Sequence, residues 1–360
     1  MVVEAVNKTT TGKWDFKALA PLRRNTPPQT VELRKEQQER IPIYEQALTV
    51  SVNSKVAHPK FSNYFVKEGV ITNSHALPAG NVEYGSCQAL HGEESAVAAH
   101  RSSLSLSGEN PDDLVLGIIA GNPGNVPSPC GNCRDIMRDT FGTNFEIASG
   151  APEGGLAVVV PMSTFTFDTP REVNIGARKR LEVYSALGMN KGDFNSLVAK
   201  TIKEGKFLTN DPYCPPKIHP ERRYYATIVT NRGLHHGGRD VMVEYHPIYA
   251  LRDAVRQGRR EDDSSGIQSV IVVAEDPNMM PDVMYKDRQH LLEYNLQGEL
   301  VREEEHDPPV FLVSHDEEGK ITGIGKTSIK EWLPLAFSPA NFGDEFVNYL
   351  ASYHKNRTNK

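Results

Sequence analysis

The chain has 360 residues, of which 38% are hydrophobic and 24% charged, and its formal net charge is −6. This composition is typical of a globular protein with two modest domains, and it excludes a disordered chain. The negative net charge gives no general attraction for a phosphate backbone, so we expect no nucleic-acid partner.

The sequence predicts a cytoplasmic protein. No apolar run reaches the length of a membrane span, and the first residues lack the basic and apolar pattern of a secretory signal. The four cysteines, Cys87, Cys130, Cys133 and Cys214, are too few for a disulfide framework in a chain of this size. Because no apolar run is long enough to span a membrane, we also expect no membrane association.

The predicted elements fall into two regions. Residues 1–44 are predicted to be a polar N-terminal extension, and 45–185 a domain in which strands and helices alternate, which is typical of an α/β layered fold. Its predicted strands cover 64–71, 114–122 and 156–162, and its predicted helices cover 93–106 and 130–142. A proline-rich linker is predicted over 186–222, a second α/β domain over 223–350 and a tail over 351–360.

The first chemical motif is His91-Gly92-Glu93, and Pro129-Cys130-Gly131-Asn132-Cys133 follows it 39 residues after His91. Zinc prefers tetrahedral nitrogen and sulfur ligands, and a catalytic site has three protein ligands and one open position. His91, Cys130 and Cys133 meet that count. If the second segment opens a helix, both thiols lie on one face and the helix N-terminus favours their ionised form. Glu93 would then lie beside the metal, free to transfer protons.

The two closely spaced cysteines have other interpretations. A C-x-x-C pair alone is equally typical of a structural zinc knuckle or of a redox pair. A structural site of four cysteines is excluded because Cys87 and Cys214 do not form a second pair. The H-x-E motif and the proline before Cys130 favour a catalytic zinc site.

H-x-E followed by P-C-x-x-C resembles the signature of zinc-dependent deaminases, and further segments resemble the cytidine deaminase family. Residues 58–66, HPKFSNYFV, are similar to the segment before the family's first core strand, with Tyr64 where phenylalanine is usual. Gly80-Asn81-Val82-Glu83 resembles the G-x-N-V-E element. The resemblance implies that Asn81 and Glu83 bind ribose hydroxyls and that Tyr64 contacts the substrate. The alternatives are a turn after Gly80 and a core tyrosine.

The resemblance extends to the form of the histidine motif and to the C-terminal region. HGEESAVAAH is similar to the motif of two-domain members, and WLPLAFSPANFG resembles the family's L-L-P-x-A-F-G-P element, with Ser338 in place of glycine. In the family this element helps to form an active site in a neighbouring unit. The sequence departs from the family pattern at Tyr84-Gly85-Ser86 and at Arg134-Asp135. These departures put unmodified cytidine as the substrate in doubt more than they put deamination in doubt.

The C-terminal half resembles the first half without its chemistry. Residues 244–255 align with 89–100, which places His246 at the position of His91 and Ile248 at that of Glu93. Met284 and Asp287 fall near the two cysteine positions. A thioether and a carboxylate without a proton-transferring glutamate make a poor zinc deaminase, so a degenerate copy is predicted. Two unrelated α/β domains are the alternative.

The resemblance implies a duplicated three-layer α/β/α sandwich with a degenerate second copy, assembled as a homodimer, with zinc as the cofactor. It implies hydrolytic deamination of a small cytosine-type nucleoside, namely cytidine, deoxycytidine or a modified analogue, to a uracil-type product and ammonia. Three alternatives stay open. They are a deaminase of another nucleotide or amino-heterocycle, a polynucleotide-editing deaminase, which the negative charge disfavours, and a non-enzymatic zinc protein, which would have no use for Glu93.

Overall fold

The computed structural model describes residues 35–54, 66–72, 75–85, 88–107, 114–120, 129–150, 156–165, 189–210, 223–240, 248–261, 266–302, 306–333 and 352. The helices are α1 (Lys35–Glu39), α2 (Ile41–Asn53), α3 (Gly92–Ser107), α4 (Gly131–Phe141), α5 (Lys191–Leu208), α6 (Ala250–Glu261), α7 (Tyr285–Arg302) and α8 (Ile329–Trp332). The strands are β1 (Val66–Ile71), β2 (Ala76–Gly80), β3 (Val82–Gly85), β4 (Gln88–Leu90), β5 (Val115–Ala120), β6 (Glu146–Gly150), β7 (Leu156–Pro161), β8 (Tyr224–Thr230), β9 (Leu234–Gly237), β10 (Ile267–Ala274), β11 (Pro309–His315) and β12 (Ile321–Ser328). In these ranges no helix combines the length and the apolar character that crossing a membrane requires.

The chain divides into two compact units, Met1–Thr166 with Leu335–Val347, and Phe167–Pro334 with Asn348–Lys360. Each unit contains a mixed five-stranded sheet and helices that pack on it. The predicted α/β class is therefore confirmed. The predicted domain boundaries stay a prediction.

The sheet of the first unit has the strand order β2-β1-β5-β6-β7. β1 is antiparallel to both β2 and β5, β5 is parallel to β6, and β6 is antiparallel to β7. β3 and β4 form a separate antiparallel pair directly before α3. The strands before α3 and α4 thus lead the chain into the helices that carry the predicted metal ligands.

Alternating residues of the first sheet bury side chains on its two faces, because successive side chains of a strand point in opposite directions. Val70, Leu116 and Ile147 pack with residues of α3 and α4. Their neighbours Ile71, Val115 and Ala148 pack instead with Tyr44, Ala47 and Leu48 of α2. One face of the sheet therefore carries α3 and α4, and the other carries α2.

The last residues of the predicted N-terminal extension form hydrogen bonds and an ion pair with the first sheet. Glu146 on β6 accepts a hydrogen bond from the Tyr44 hydroxyl at 2.6 Å and lies 3.0 Å from Arg40. The Gln37 amide donates to the same carboxylate at 3.3 Å. Three side chains converge on one carboxylate, so the residues near the start of α2 belong to the fold of the first unit.

The sheet of the second unit has the order β9-β8-β10-β11-β12, read from the opposite edge. β8 is antiparallel to β9 and β10, β10 is parallel to β11, and β11 is antiparallel to β12. In chain order this is the same arrangement of five strands, with the same orientations, as in the first unit.

Helix α5 lies inside the segment 186–222, for which the sequence predicts a linker. Its buried residues Phe194, Leu197 and Val198 pack against Ile271 and Phe311 of the second sheet. These residues follow the spacing of one helix face. This part of the predicted linker therefore contributes to the core of the second unit.

Candidate metal centre

The backbone around His91 is fixed by the first turn of α3. The His91 carbonyl accepts the amide hydrogen bond of Ser95 at 3.0 Å, and the His91 amide donates to Glu94 Oε2 at 2.7 Å. A glutamate three residues into a helix that accepts the amide of the capping residue is the second half of a capping box. Glu94 thus fixes the point at which the chain turns from β4 into the helix.

Cys130 and Cys133 belong to the first turn of α4. Cys130 is the residue that caps this helix, with extended backbone angles, and Cys133 is completely buried one turn later. The helix ends at Gly142, whose φ of 74° lies in the left-handed region that glycine adopts without strain. The predicted helix start at the P-C-x-x-C motif and its stop at Gly142 are both found.

The three predicted metal ligands meet at one point. Nδ1 of His91 lies 3.3 Å from Sγ of Cys130 and 3.3 Å from Sγ of Cys133, and the two sulfurs are 3.4 Å apart. Zinc bonded at its usual lengths would separate tetrahedral nitrogen and sulfur donors by about 3.6 to 3.8 Å. The observed triangle is a few tenths of an ångström tighter, and its donors suit zinc in kind and number.

Burial and mutual hydrogen bonding shift the pKa of all three groups of the triangle. Hydrogen bonding with Cys133, and to a smaller extent with His91, holds the pKa of the Cys130 thiol well below its usual range. Burial raises the pKa of Cys133, and the hydrogen bond with Cys130 raises the pKa of His91 to about 9. A divalent cation would replace the protons of His91 and Cys133, because metal ligands must be deprotonated. The residues present therefore fit a zinc ion.

Glu93 is buried next to this triangle. Its exposed fraction is 7%, and burial, followed by the charge of Cys130, raises the pKa of its carboxyl group. A raised pKa in a buried carboxyl group beside a candidate metal site is typical of a group that transfers protons.

A contact between α3 and α4 lies close to the ligands. The Asn132 side-chain amide donates to Glu94 Oε1 at 2.5 Å, while the other oxygen of Glu94 accepts the His91 amide. One carboxylate thus joins the turn that carries His91 to the turn that carries both cysteines. No role was predicted for Glu94 or Asn132, although both lie in or next to the two motifs.

Glu68 is a second buried carboxyl group that the sequence analysis missed. It lies on β1 opposite Ile118, on the sheet face covered by α3 and α4, and its exposed fraction is 0%. Burial, and then the neighbouring Glu93, raise the pKa of Glu68 well above its ordinary value. Lys67 and Glu68 are adjacent in a strand, so one of the two had to point inward, and this was the available signal.

The predicted substrate contacts are placed only in part. Oδ1 of Asn81 accepts the Val66 amide at 3.1 Å, so this side chain helps to hold the start of β1. Glu83 lies in β3, where its backbone pairs with Ala89, but its side chain lies outside the described part of the structure. Tyr64 also lies outside the described residues. The three substrate roles stay predictions.

A buried arginine makes the same pair of side-chain contacts with backbone carbonyl groups in each unit. In the first unit Arg134 Nε donates to the Pro129 carbonyl at 2.8 Å and Nη1 to the Phe165 carbonyl at 2.9 Å. In the second unit Arg288 Nε donates to the Val283 carbonyl at 2.8 Å and Nη1 to the Trp332 carbonyl at 3.2 Å. Each arginine directly follows one of the aligned residues, Cys133 or Asp287.

Met284 and Asp287 are the residues that the sequence alignment places near the two cysteine positions. Asp287 is completely buried and accepts the Tyr224 hydroxyl at 3.4 Å. His246, which the sequence aligns with His91, lies outside the described residues. Among the residues that the structure describes, His91, Cys130 and Cys133 form the group of side chains with the geometry to hold a metal ion.

Comparisons with known proteins returned only partial structural likenesses. No protein-family model and no curated protein matches the chain. Solved cytidine deaminases from Burkholderia pseudomallei and Mycobacterium tuberculosis are each 20% identical to it and cover 36% and 35% of the chain, and 96% and 93% of their own lengths, with TM-scores of 0.28 and 0.26. The cytidine deaminase from Mycobacterium leprae is 28% identical and covers 33% of this chain and 90% of its own, with a TM-score of 0.24. Each likeness spans about a third of the chain.

Proposed function

We propose that the first unit is a zinc-dependent hydrolytic deaminase of a cytosine-type nucleoside, namely cytidine, deoxycytidine or a modified analogue. The observation that carries the proposal is a triangle of one nitrogen and two sulfur donors with the buried Glu93 beside it. A closed structural zinc site has four protein ligands and no use for a proton carrier. Three donors and an adjacent carboxyl group instead suit hydrolysis.

Zinc held by His91, Cys130 and Cys133 would supply Lewis-acid activation of a water molecule. Glu93 would accept a proton from the attacking water and deliver protons to the ring nitrogen and to the departing amino group. The amino-bearing carbon gains the water oxygen, and ammonia leaves. Burial raises the pKa of Glu93, which brings its proton affinity closer to that needed for both steps near neutral pH.

We assign the recognition of the sugar to Asn81 and Glu83 and contact with the base to Tyr64. Asn81 is buried at the end of β2, ten residues before His91, and one of its oxygen lone pairs is already used by the Val66 amide. A panel of sugars on one base would test this assignment.

The decisive experiment measures ammonia release from cytosine, cytidine, deoxycytidine, their phosphates and adenine analogues. We expect turnover with at least one cytosine-type compound, and a loss of roughly a thousandfold in Glu93→Gln with full zinc content. Asp139→Asn on the exposed side of α4 is the matched control and should retain turnover. Equal activity of Glu93→Gln would overturn the mechanism, and turnover confined to adenine analogues would overturn the substrate class.

We also propose that the two units are copies of one three-layer α/β/α sandwich, of which the second has lost the chemistry. The identical strand order and the matching bonds of Arg134 and Arg288 support this proposal. Resemblance to a family whose sites are completed by neighbouring copies leads us to expect a homodimer. Residues 335–337, to which the resemblance assigns the closing of such a site, lie outside the described residues. Light scattering would test the homodimer, and a stable, fully active monomer would contradict it.

A further inference from the structure

The second unit contains a chain of three polar side chains that joins α5 to two strands of its sheet. Thr227 on β8 lies at the centre of this chain. Its hydroxyl oxygen is 2.7 Å from the hydroxyl oxygen of Thr201 on α5 and 2.8 Å from Nδ1 of His236 on β9. Thr227 and His236 are paired directly across the two strands, so their side chains lie on the same face of the sheet.

Helix α5 approaches the sheet closely on this face. Thr201 and Thr227 are both completely buried. One turn further along the helix, Gly205 lies against Tyr225, because a Cβ atom at position 205 would be only 2.5 Å from Cδ1 of the tyrosine ring. Tyr225 and Thr227 are alternate residues of β8 and therefore face the same helix. The chain of polar side chains thus lies beside a close contact between α5 and the sheet.

The hydroxyl groups give the chain one direction. The Thr201 hydroxyl donates its only proton to the Leu197 carbonyl at 2.9 Å, so it accepts the proton of Thr227. Thr227 has then used its own proton, and its contact with His236 requires a donor at Nδ1 of the ring. The opposite direction would make two hydrogen bonds instead of three. The neutral imidazole therefore carries its proton on Nδ1, which leaves a lone pair on Nε2.

Nε2 of His236 is buried, and no described residue offers it a hydrogen bond. A second proton at this nitrogen would create an imidazolium ion whose Nε2–H group lacks an acceptor, which is costly away from water. Burial is accordingly the largest influence on the pKa of His236, and it lowers that pKa. The charged groups around the ring are Lys200 and Glu204 of α5 and the neighbouring His235, of which Glu204 alone raises the pKa.

We propose that the chain Thr201–Thr227–His236 is a proton-sensitive latch that holds α5 on the sheet of the second unit. Neutral His236 donates to Thr227 and closes the latch. A protonated ring must bring Nε2 into water, and a ring that turns outward gives up its hydrogen bond with Thr227. Since the folded chain binds this proton less tightly than the unfolded chain, the stabilisation is present above about pH 6.5 and is lost as the pH falls. The latch is independent of the proposed deamination.

The tautomer of His236 is the first test, because it follows from the direction of the chain. The full-length protein with isotope-labelled histidine would be studied by NMR near neutral pH, and His236→Asn would identify the signals of this residue among the 12 histidines. We expect the Nδ1–H tautomer, and the Nε2–H tautomer would overturn the proposal. Thr227→Val removes the central hydroxyl group and should abolish this preference, so an unchanged preference in that variant would also overturn it.

Amide hydrogen exchange of α5 is the second test, because it detects loosening of the helix directly. After correction for the intrinsic effect of pH, we expect α5 of the unmodified protein to exchange about threefold faster or more at about pH 5.5 than at about pH 7.5. His236→Asn keeps an N–H donor for Thr227 but does not titrate, so its α5 should exchange at the same corrected rate at both pH values. His290→Asn on α7 is the matched control and should retain the pH dependence.

The comparison with His236→Asn separates the latch from ordinary packing. A chain that only fills the interior would leave the same pH dependence of α5 exchange in both proteins, and this result would overturn the proposal. Equal corrected exchange of α5 at the two pH values in the unmodified protein would overturn it as well. That last measurement requires no variant to fold, so a destabilising substitution cannot leave the proposal undecided.

Discussion

Glu68 and Glu93 differ from most carboxyl groups in that both are buried and both have a raised pKa. Their common cause is removal from water, which disfavours the charged form. Glu146 shows the other solution to the burial of a glutamate, because Tyr44, Gln37 and Arg40 surround its carboxylate with donors. The contrast indicates that the fold buries Glu68 without supplying such donors, since neither of its carboxyl oxygens has a hydrogen-bond partner among the described residues.

Replacement of Glu68 by leucine should change how stability depends on pH. Burial, followed by the neighbouring Glu93, holds the pKa of Glu68 well above its ordinary value in the folded state. The folded protein then binds this proton more tightly than the unfolded chain, so the contribution of Glu68 to stability is present at low pH and is lost as pH rises. Relative to Glu68→Leu, the unmodified protein should lose stability from about pH 4 upward.

Urea unfolding of both proteins at a series of pH values would measure this difference. Glu45→Leu, at an exposed position of α2, is the matched control for the exchange of a glutamate for leucine. A pH-independent difference for Glu68→Leu would mean that Glu68 has the same pKa in the folded and unfolded chain.

Arg134 and Arg288 should be equally intolerant of lysine. Each is fully buried, donates to two carbonyl groups and lies over an aromatic ring, Phe165 at 5.2 Å or Trp332 at 4.8 Å. A lysine cannot reproduce the planar fork or satisfy both carbonyl groups. We expect each change to cost about 2 kcal/mol in the free energy of unfolding of its own unit. Arg134→Lys should also reduce zinc content, because Arg134 directly follows the predicted ligand Cys133. A loss of zinc from Arg288→Lys would contradict the prediction that only the first unit binds zinc.

At the scale of elements, the Glu94–Asn132 contact should tune metal affinity, because it joins the first turns of α3 and α4. Glu94→Ala releases both the His91 amide and the Asn132 amide, which leaves the two ligand-bearing turns free to separate. We expect zinc affinity to fall about tenfold, as is typical when outer partners of a metal site are removed. Competition with a chromophoric chelator would measure the change.

The partner variant Asn132→Ala provides the control for this prediction. If the two residues act as a pair, Asn132→Ala should have part of the same effect, and the double variant should be little worse than Glu94→Ala. Fully additive losses would show that Glu94 acts only as the cap of α3.

The sequence predicted the elements around the metal centre well, because strand and helix periods were clear there and the Pro-Cys and Gly signals mark the ends of α4. It missed helix α5, because the segment is polar on the whole and Asn195 and Ser196 interrupt the apolar face formed by Phe194, Leu197 and Val198. It also missed Glu68, because the strand pattern alone does not say which face the neighbouring helices cover. That assignment requires the register of β1 with β5 and the placement of α3 on the sheet.

At the scale of the whole molecule, the two units are alike in the topology of their sheets and in the contacts of one buried arginine. The strand order, the strand orientations and the buried arginine are the same in both. In the second unit, Met284 and Asp287, which the sequence aligns with the two cysteines, lie at the start of α7, and Asp287 accepts a hydrogen bond from the Tyr224 hydroxyl.

The full-length protein should consequently bind about one zinc ion per chain. The donor triangle of the first unit supplies two thiols and an imidazole, whereas Asp287 offers a carboxylate that is engaged by Tyr224 and Met284 offers a weak thioether. Cys133→Ala, like Cys130→Ala, should reduce the metal content to near zero, because two remaining ligands cannot retain zinc against a chelator. Asp287→Ala is the matched change in the second unit and should leave about one equivalent bound. Metal analysis after dialysis would measure the zinc content of each protein. Two equivalents in the unmodified protein, or retention of zinc by Cys133→Ala, would show that a metal site lies outside the triangle.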